Sequence, residues 1–544
     1  MNPFSDATVG GLLDAVAASH PAREAMVFGD ERITFADFQA RVERLAAGLV
    51  ALGLGRDDTL AIWMPNRPSW FVAQHACARL GIVVVALNPR YKAHELEYIL
   101  RDSDARALLL TDHLGRIDYF ETLHEVLPEL RGAVPGELAS PRFPAWRWVI
   151  VDAEDEYPGC VRLRDVIDAG ADSPHVLAGG PEPDDVLTLL YTSGTTSFPK
   201  GAMITHRNAV PHAWNTGVTL RLTPDDRVLH ALPAAGTWGG LVTPLSTWAH
   251  GATLVLMDAF DPLRTLMLME RERCTVWNAV DAMALALLDH PDLDRYDRSS
   301  LRTGGFAAVG GGGHGLFDAV VDRIGIPALY QPYGMTEINA MALAHDLDEP
   351  RALRAEPGVT PARGLEVRVA HPDTGAPCRP GEEGELQFRG VPVIRGYYRK
   401  PEATAAAFTA DGWFRTGDLG VQDDAGHTIF RGRLKETLRI SHFMVAPGEI
   451  EAFLMSHPAV EQAFVVGVPD PVSNEAAVAY VIPKEGATPT AEEIQRFCRG
   501  RIASYKIPKA VRFVRDVPRT PSPHGDKVQR VKLREQAIRE LGHG

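Results

Sequence analysis

The first third of the chain alternates helix-like and strand-like segments, and that rhythm restricts it to few architectures. "TFADFQARVERLAAGLVALGLG" (34–55) puts Phe35, Phe38, Val42, Leu45 and Leu49 on one helical face. Thr34 and Asp37 suit the start of that helix and Gly53 its end. Next come "DTLAIWMP" as a strand, "WFVAQHACARLG" as a helix and "IVVVALNP" as a strand. "AHELEYILRDSDA" follows as a helix and "RALLLTD" as a strand. Such alternation implies right-handed crossovers and a parallel sheet covered by helices on both faces, an α/β class.

A polar stretch carrying Pro and Gly, from Gly132 to Pro183, interrupts the rhythm and reads as connecting loops with short elements. The pattern resumes at "DDVLTLLYTS" and "ATLVLMDAF". Past Arg433 the units shorten into helix "PGEIEAFLMSHP", strands "EQAFVVGVP" and "AAVAYVIP", helix "TAEEIQRFCRGRIA" and strand "AVRFVRDVP". This predicts a large N-terminal domain over 1–433 and a small α+β domain over 434–544. The latter has about a hundred residues, an ordinary domain size.

The net charge of −14 argues against a nucleic-acid binder, which needs a basic footprint, but permits local anion sites. No apolar run is long enough to span a bilayer, and the N-terminus has no basic flank followed by an apolar core. The five cysteines are scattered without a CxxC pair, which fits buried thiols in a reducing compartment. The expected location is cytoplasmic, and a homodimer is left open.

The most informative run is "LTLLYTSGTTSFPKGAMITH" (187–206). A buried strand empties into hydroxyl residues and glycine, then a lysine, the groups a polyphosphate needs. It is not a P-loop, because Lys200 precedes its glycine and Ala202 follows. A flexible Ser/Thr turn is the bland alternative. The run resembles the phosphate loop of the adenylate-forming superfamily of acyl-CoA synthetases, adenylation domains and luciferases. "YGMTE" (333–337), "DGWFRTGDLG" (411–420), "GRLKETLRI" (432–440) and two C-terminal stretches, "PGEIEAFLMSHPAVEQAFVVGVPD" and "ASYKIPKAVRFV", continue the likeness in order.

The resemblance implies an acyl-CoA ligase using ATP, Mg²⁺ and coenzyme A, with acyl-AMP as intermediate and AMP as product. It implies that Thr192, Ser193, Gly194, Thr195 and Thr196 cradle phosphates that Lys200 neutralises. Tyr333, with Gly334 and Met335, meets adenine opposite a Gly304–Gly305 turn. Thr336 bonds the α-phosphate, Glu337 holds Mg²⁺, Asp418 holds the ribose, and Arg433 supports the same sugar or a phosphate. Lys435 is the hinge of a mobile C-terminal domain that brings Lys527 to the adenylation site. Arg439, Ser441, His442 and Phe443 border the CoA path. Singly, each has a bland reading: a helix cap for Glu337, a strand end for Asp418, a solvated cation for Lys527.

Four departures stand out. Ser197 replaces a usual glycine, "PHGD" separates Ser522 from Lys527, His442 replaces a glycine, and Gly236 replaces a frequent histidine. The first two fall on adenylation machinery and raise the expectation that adenylation is impaired while thioester formation persists. Small residues near Gly236 and Thr237 (with Ala307 and Ala308), walled by Trp238 and Phe306, suggest a bulky hydrophobic acid. Tight packing of the glycines is the bland alternative. Two rivals remain: a non-catalytic acyl-adenylate binder, and an NAD(P)-dependent oxidoreductase suggested by "GGGGHG" (310–315). The sequence offers no clear βαβ unit with a ribose acid for the latter.

Overall fold

The structure is a computed structural model. It describes residues 2–171, 180–192, 199–307, 313–372, 374–434, 438–441, 443–445, 447–520 and 527–541, with backbone alone at 313, 314, 383, 419, 431–433, 439, 443, 444, 448, 449, 452, 519, 520 and 527. The alternating elements build two eight-stranded sheets. In the first, Val83–Ala86, Thr59–Trp63, Ala107–Thr111 and Trp148–Asp152 run parallel beside Val186–Thr192. Lys200–Thr205 and the short Gly396–Tyr397 extend that edge antiparallel. The second sheet sets Glu24–Phe28, Thr253–Leu256, Arg227–His230, Val276–Trp277, Thr303–Ala307 and Ala328–Tyr330 parallel.

Helices fill the space between the sheets and cover both outer faces. Phe35–Ala51 starts as expected, with Thr34 and Asp37 forming a reciprocal capping box, and Gly53 follows it at φ +73°. Its Phe38, Val42, Leu45 and Leu49 join one core with Leu60 and Ile62 of the first sheet and Leu254 and Leu256 of the second. Ala61 and Trp63, one residue out of phase, pack on the opposite face against Leu96 and Ile99. Both faces being dry explains the near-continuous apolar strands. Each fully buried side chain of this size contributes about 1.5–3 kcal/mol relative to exposure.

Two expectations need correction. The stretch 132–183 contains the buried strand Trp148–Asp152 and the helix Leu163–Ala171, which packs against Phe35–Ala51. A five-residue strand buried on both sides has no alternation to detect. A βαβ unit does surround the Gly-rich run: strand Thr303–Ala307, helix Gly313–Ala319 and parallel strand Ala328–Tyr330. The second strand runs into Gln331 and Pro332, without the acid a dinucleotide ribose requires.

An antiparallel sheet that the sequence reading did not separate follows: Leu365–Ala370, Glu383–Gly390, Phe414–Gln422 and Thr428–Arg433. The expected C-terminal elements are present, with Val460–Asp470, Asn474–Pro483 and Ala510–Phe513 in one sheet and Pro447–Met455 and Ala491–Cys498 as helices, and a further helix, Arg530–Leu541, that the sequence reading did not include. No helix among the described residues is long and apolar enough to cross a membrane.

Candidate active site

The parallel strands of both sheets end at one cavity of about 1630 Å³. Ala86, Ala231, Val280, Ala307 and Gln331 all line it, each at or just past the carboxyl end of its strand. That is where open α/β sheets collect ligands, because the strand connections splay apart there. The antiparallel sheet adds Phe414 to Asp418 and Phe430, and the C-terminal region adds Tyr505 and Lys506.

Thr192 and Lys200 are directly opposite each other in the hairpin that ends the first sheet. The expected phosphate residues Ser193, Gly194, Thr195 and Thr196, with Ser197, lie between them and outside the described residues. Thr192 Oγ1 donates to Glu337 Oε1 at 3.1 Å, and Tyr397 OH donates to the same oxygen at 3.0 Å. Lys200 Nζ sits 4.8 Å from the Tyr397 ring centroid, a cation–π contact. Burial first, then the Glu337 carboxylate, push the Tyr397 hydroxyl far above its ordinary value, so it remains a donor. Tyr397 was missed by the sequence reading. It is far from Glu337 in sequence, and no local pattern marks it.

Glu337 is 7% exposed and opens a short 3₁₀ turn with Thr336, and both residues line the cavity. Gly334 ahead of them packs on Ala340, whose carbonyl oxygen lies 1.1 Å from where a Cβ would be, so only glycine fits. Tyr333 OH donates to Asp418 Oδ2 at 2.8 Å, and its ring stacks at 5.2 Å on Phe430. Asp418 and Arg433 are cross-strand partners. Beneath them the buried Glu385 accepts from Arg415 Nε at 3.0 Å and from the Gly417 amide at 3.2 Å. Glu385 and Arg415 also went unread.

The expected acid-pocket residues Gly236, Thr237, Trp238 and Ala307 line the same cavity, together with Val280 and Met283. Gly304 and Gly305 are not in a turn but inside the strand Thr303–Ala307. A Cβ on Gly304 would meet the Trp277 carbonyl oxygen at 1.9 Å, and one on Gly305 the Trp238 ring at 2.9 Å. These glycines seat neighbouring groups. Phe306 also departs from expectation: it is fully buried, packed near Phe317 in the core. Adjacent strand residues face opposite ways, so Ala307 reaches the cavity and Phe306 cannot. Ala308 lies outside the described residues.

On the C-terminal side, Leu438–Ile440 and Phe443–Val445 form a hairpin carrying the backbones of Arg439 and Phe443, with Ser441 at its turn at φ +55°. Lys435 and His442 lie outside the described residues. Lys527 pairs with Thr520 in a two-residue ladder, so the "PHGD" insertion falls within the connection between them. Among the described residues no cluster of three or more His, Cys, Asp or Glu side chains forms a metal site. The buried carboxylate of Glu337, beside the hairpin of Thr192 and Lys200, fits a hard cation that takes its other ligands from phosphate oxygens and water.

Residues 13–398 match the AMP-binding enzyme family, and 449–523 match the AMP-binding enzyme C-terminal domain. The acyl-CoA synthetase-like protein YngI of Bacillus subtilis is 37% identical, covering 98% of this chain and 97% of its own. The mitochondrial medium-chain acyl-CoA ligase ACSF2 of Bos taurus is 34% identical, covering 99% and 89%. The o-succinylbenzoate CoA synthetase of Bacillus subtilis, solved with its product analogue OSB-NCoA, overlays with a TM-score of 0.80 at 27% identity, covering 96% and 98%. With both parts of the chain matched and the cavity shared between them, the protein belongs to the adenylate-forming AMP-binding enzymes, among the acyl-CoA synthetases.

Proposed function

We propose that the enzyme joins a bulky hydrophobic carboxylic acid to coenzyme A in two half-reactions. In the first, a carboxylate oxygen attacks the α-phosphorus of ATP, the bond to pyrophosphate breaks, and acyl-AMP forms. In the second, the CoA thiol loses its proton and attacks the acyl carbon, and AMP leaves with the carbon–oxygen electron pair. The observation that carries this reading is the joined pair of clusters in one cavity: Thr192, Glu337, Tyr397 and Lys200 on one side, Tyr333 and Asp418 on the other.

In this reading residues 192–196 and Lys200 take the β- and γ-phosphates, and Thr336 takes the α-phosphate. Tyr333 takes adenine, and Asp418 with Arg433 the ribose. Glu337 holds Mg²⁺, which when bound supplies positive charge to the phosphate oxygens. Tyr397 keeps the Glu337 carboxylate aimed. Lys527, carried by a domain that swings near Lys435, stabilises charge where carboxylate and phosphate crowd. Residues 439–443 border the CoA path. The described arrangement of the two domains is read as the thioester-forming one, supported by the overlay along both with a synthetase solved with a CoA product analogue.

Adenylation is the slower half-reaction in this proposal, because Lys527 is anchored by only a two-residue ladder beside an inserted loop. The apolar acid end favours hydrophobic acids, and the relative named a medium-chain acyl-CoA ligase points the same way. The test is a panel of medium-chain, aromatic and polycyclic acids, each supplied free with ATP and as its synthetic adenylate, with acyl-CoA read by mass spectrometry. Turnover of hydrophobic acids, faster from the adenylate, is expected. Preference for short polar acids would defeat the substrate reading, and equal rates the slow-adenylation reading.

A further inference from the structure

One helix, Ala93–Asp102, touches both halves of this machinery. At its C-terminal end Asp102 accepts from Tyr191 OH at 2.9 Å and from Lys400 Nζ at 2.6 Å. One turn earlier, Tyr98 OH donates to the Pro199 carbonyl at 3.0 Å. Tyr191 lies on the first arm of the hairpin and Pro199 just precedes the second, so the two flank the residues read as the phosphate loop.

The N-terminal end of the helix faces the C-terminal domain. Glu95 Oε1 accepts from the Ala503 amide at 3.0 Å and lies 3.5 Å from Lys506 Nζ. Its other oxygen, Oε2, accepts from the Lys92 amide at 3.1 Å and so caps its own helix. The Glu95 and Lys506 side chains are only 3% and 7% exposed. The His94 and Phe453 rings meet edge-on at 5.2 Å, and Lys506 Nζ lies 5.6 Å from the Tyr91 ring. Tyr91, Tyr98, Tyr505 and Lys506 all line the active-site cavity.

We propose that Glu95 is a positioning residue for the thioester half-reaction, and that its helix is a strut between the docked C-terminal domain and the phosphate hairpin. A buried ion pair is a poor source of net stability but a sharp determinant of geometry. Removing one partner leaves the other charge desolvated, so the docked orientation loses its advantage over any in which Lys506 reaches water. Because one carboxylate serves both the helix cap and the docked domain, the domain inherits the position of a rigid helix. That helix also holds the hairpin. The proposal rests on the two-step reading above and adds a residue that touches neither substrate nor nucleotide.

Glu95→Gln separates the two duties. Glutamine serves well in a capping box and can still accept from Lys92, but its amide nitrogen then faces the Ala503 amide and Lys506. We expect thioester formation from synthetic acyl-AMP and CoA to fall about tenfold, ATP–pyrophosphate exchange to stay within about twofold, and the thermal midpoint to move little. Lys506→Met should lower the thioester step in the same way. Tyr98→Phe, at the hairpin end, should raise KM for ATP about threefold and leave the thioester step alone. Equal loss of both half-reactions in Glu95→Gln would reduce its role to stability and overturn the proposal, as would wild-type behaviour of Tyr98→Phe. If the wild-type enzyme performs neither half-reaction, the two-step reading itself fails.

Discussion

The wall of the cavity built by the two large sheets and the hairpin that presents Lys527 are held very differently. Glu337, in its 3₁₀ turn, is tied by two hydrogen bonds on one oxygen to Thr192 and Tyr397, which sit on strands of the first large sheet. Lys527 rests on two backbone pairs, Arg519 with Val528 and Thr520 with Lys527. The contrast teaches where preorganisation lies. In the proposed mechanism one half of the adenylation chemistry is fixed by the fold, and the other is ordered each time the small domain arrives. Damage to the first region should therefore appear in stability as well as catalysis, and damage to the second in one half-reaction only.

Acid should break the first region before the second, and this is the largest effect expected. Burial holds His75, His206 and His212 down to about 4 and His230 to about 3, below the ordinary 6.5. All four lie in or beside the core around the two large sheets. Below pH 6.5 the unfolded chain binds protons that these folded histidines refuse. Their contribution is complete above pH 6.5 and is lost as pH falls towards 4 and 3. Each can remove up to about 3 kcal/mol by pH 4, since a tenfold difference in proton affinity between folded and unfolded chain is worth about 1.4 kcal/mol. Thermal scans should show the midpoint falling steeply between pH 6.5 and 4. His212→Gln should flatten part of that slope, and an unchanged slope would remove the buried-histidine account.

Lys527→Ala probes the second region. ATP–pyrophosphate exchange should fall about 10²–10³-fold, the usual loss for one charge-stabilising group. Thioester formation from acyl-AMP should stay nearly intact, and the thermal midpoint unchanged. Collapse of the thioester step would show that Lys527 has another role. Tyr397→Phe returns to the first region with a smaller effect. It leaves Glu337 with Thr192 as donor and keeps the ring under Lys200, so exchange should fall about tenfold, about 1.4 kcal/mol in the barrier. The loss should sit in the dependence on Mg²⁺ concentration more than in the affinity for the acid.

The sequence made the first region's scaffold readable because its strands and helices announce themselves by period and by caps such as Thr34 with Asp37. The ordered motifs brought Thr192, Lys200, Tyr333, Glu337 and Asp418 to one cavity, where they meet. What stayed hidden depends on long-range closure. Tyr397 reaches Glu337 across 60 positions and Ala503 reaches Glu95 across 408, separations that no local pattern encodes. Trp148–Asp152 stays hidden because full burial erases alternation. Phe306 falls on the wrong side because the face on which a strand residue lies depends on register, which composition does not contain.

The inserted "PHGD" sharpens the comparison most finely. With Thr520 and Lys527 paired, the extra residues lengthen the connection without displacing the backbone register of the lysine. Lengthening a loop costs little, since the closure term grows only logarithmically, by about 0.6 kcal/mol per doubling. Replacing Pro523 to Asp526 with one glycine should therefore raise exchange only about threefold, by increasing the fraction of time the hairpin is formed, and leave the thioester step unchanged. The readout is the ratio of the two half-reaction rates in one preparation. A rise of a hundredfold would mean that the insertion displaces the lysine itself, and that the ladder between Thr520 and Lys527 does not persist when the domain swings to the adenylation site. No rise would locate the slow step in the first region, at the loop where Ser197 stands in place of glycine.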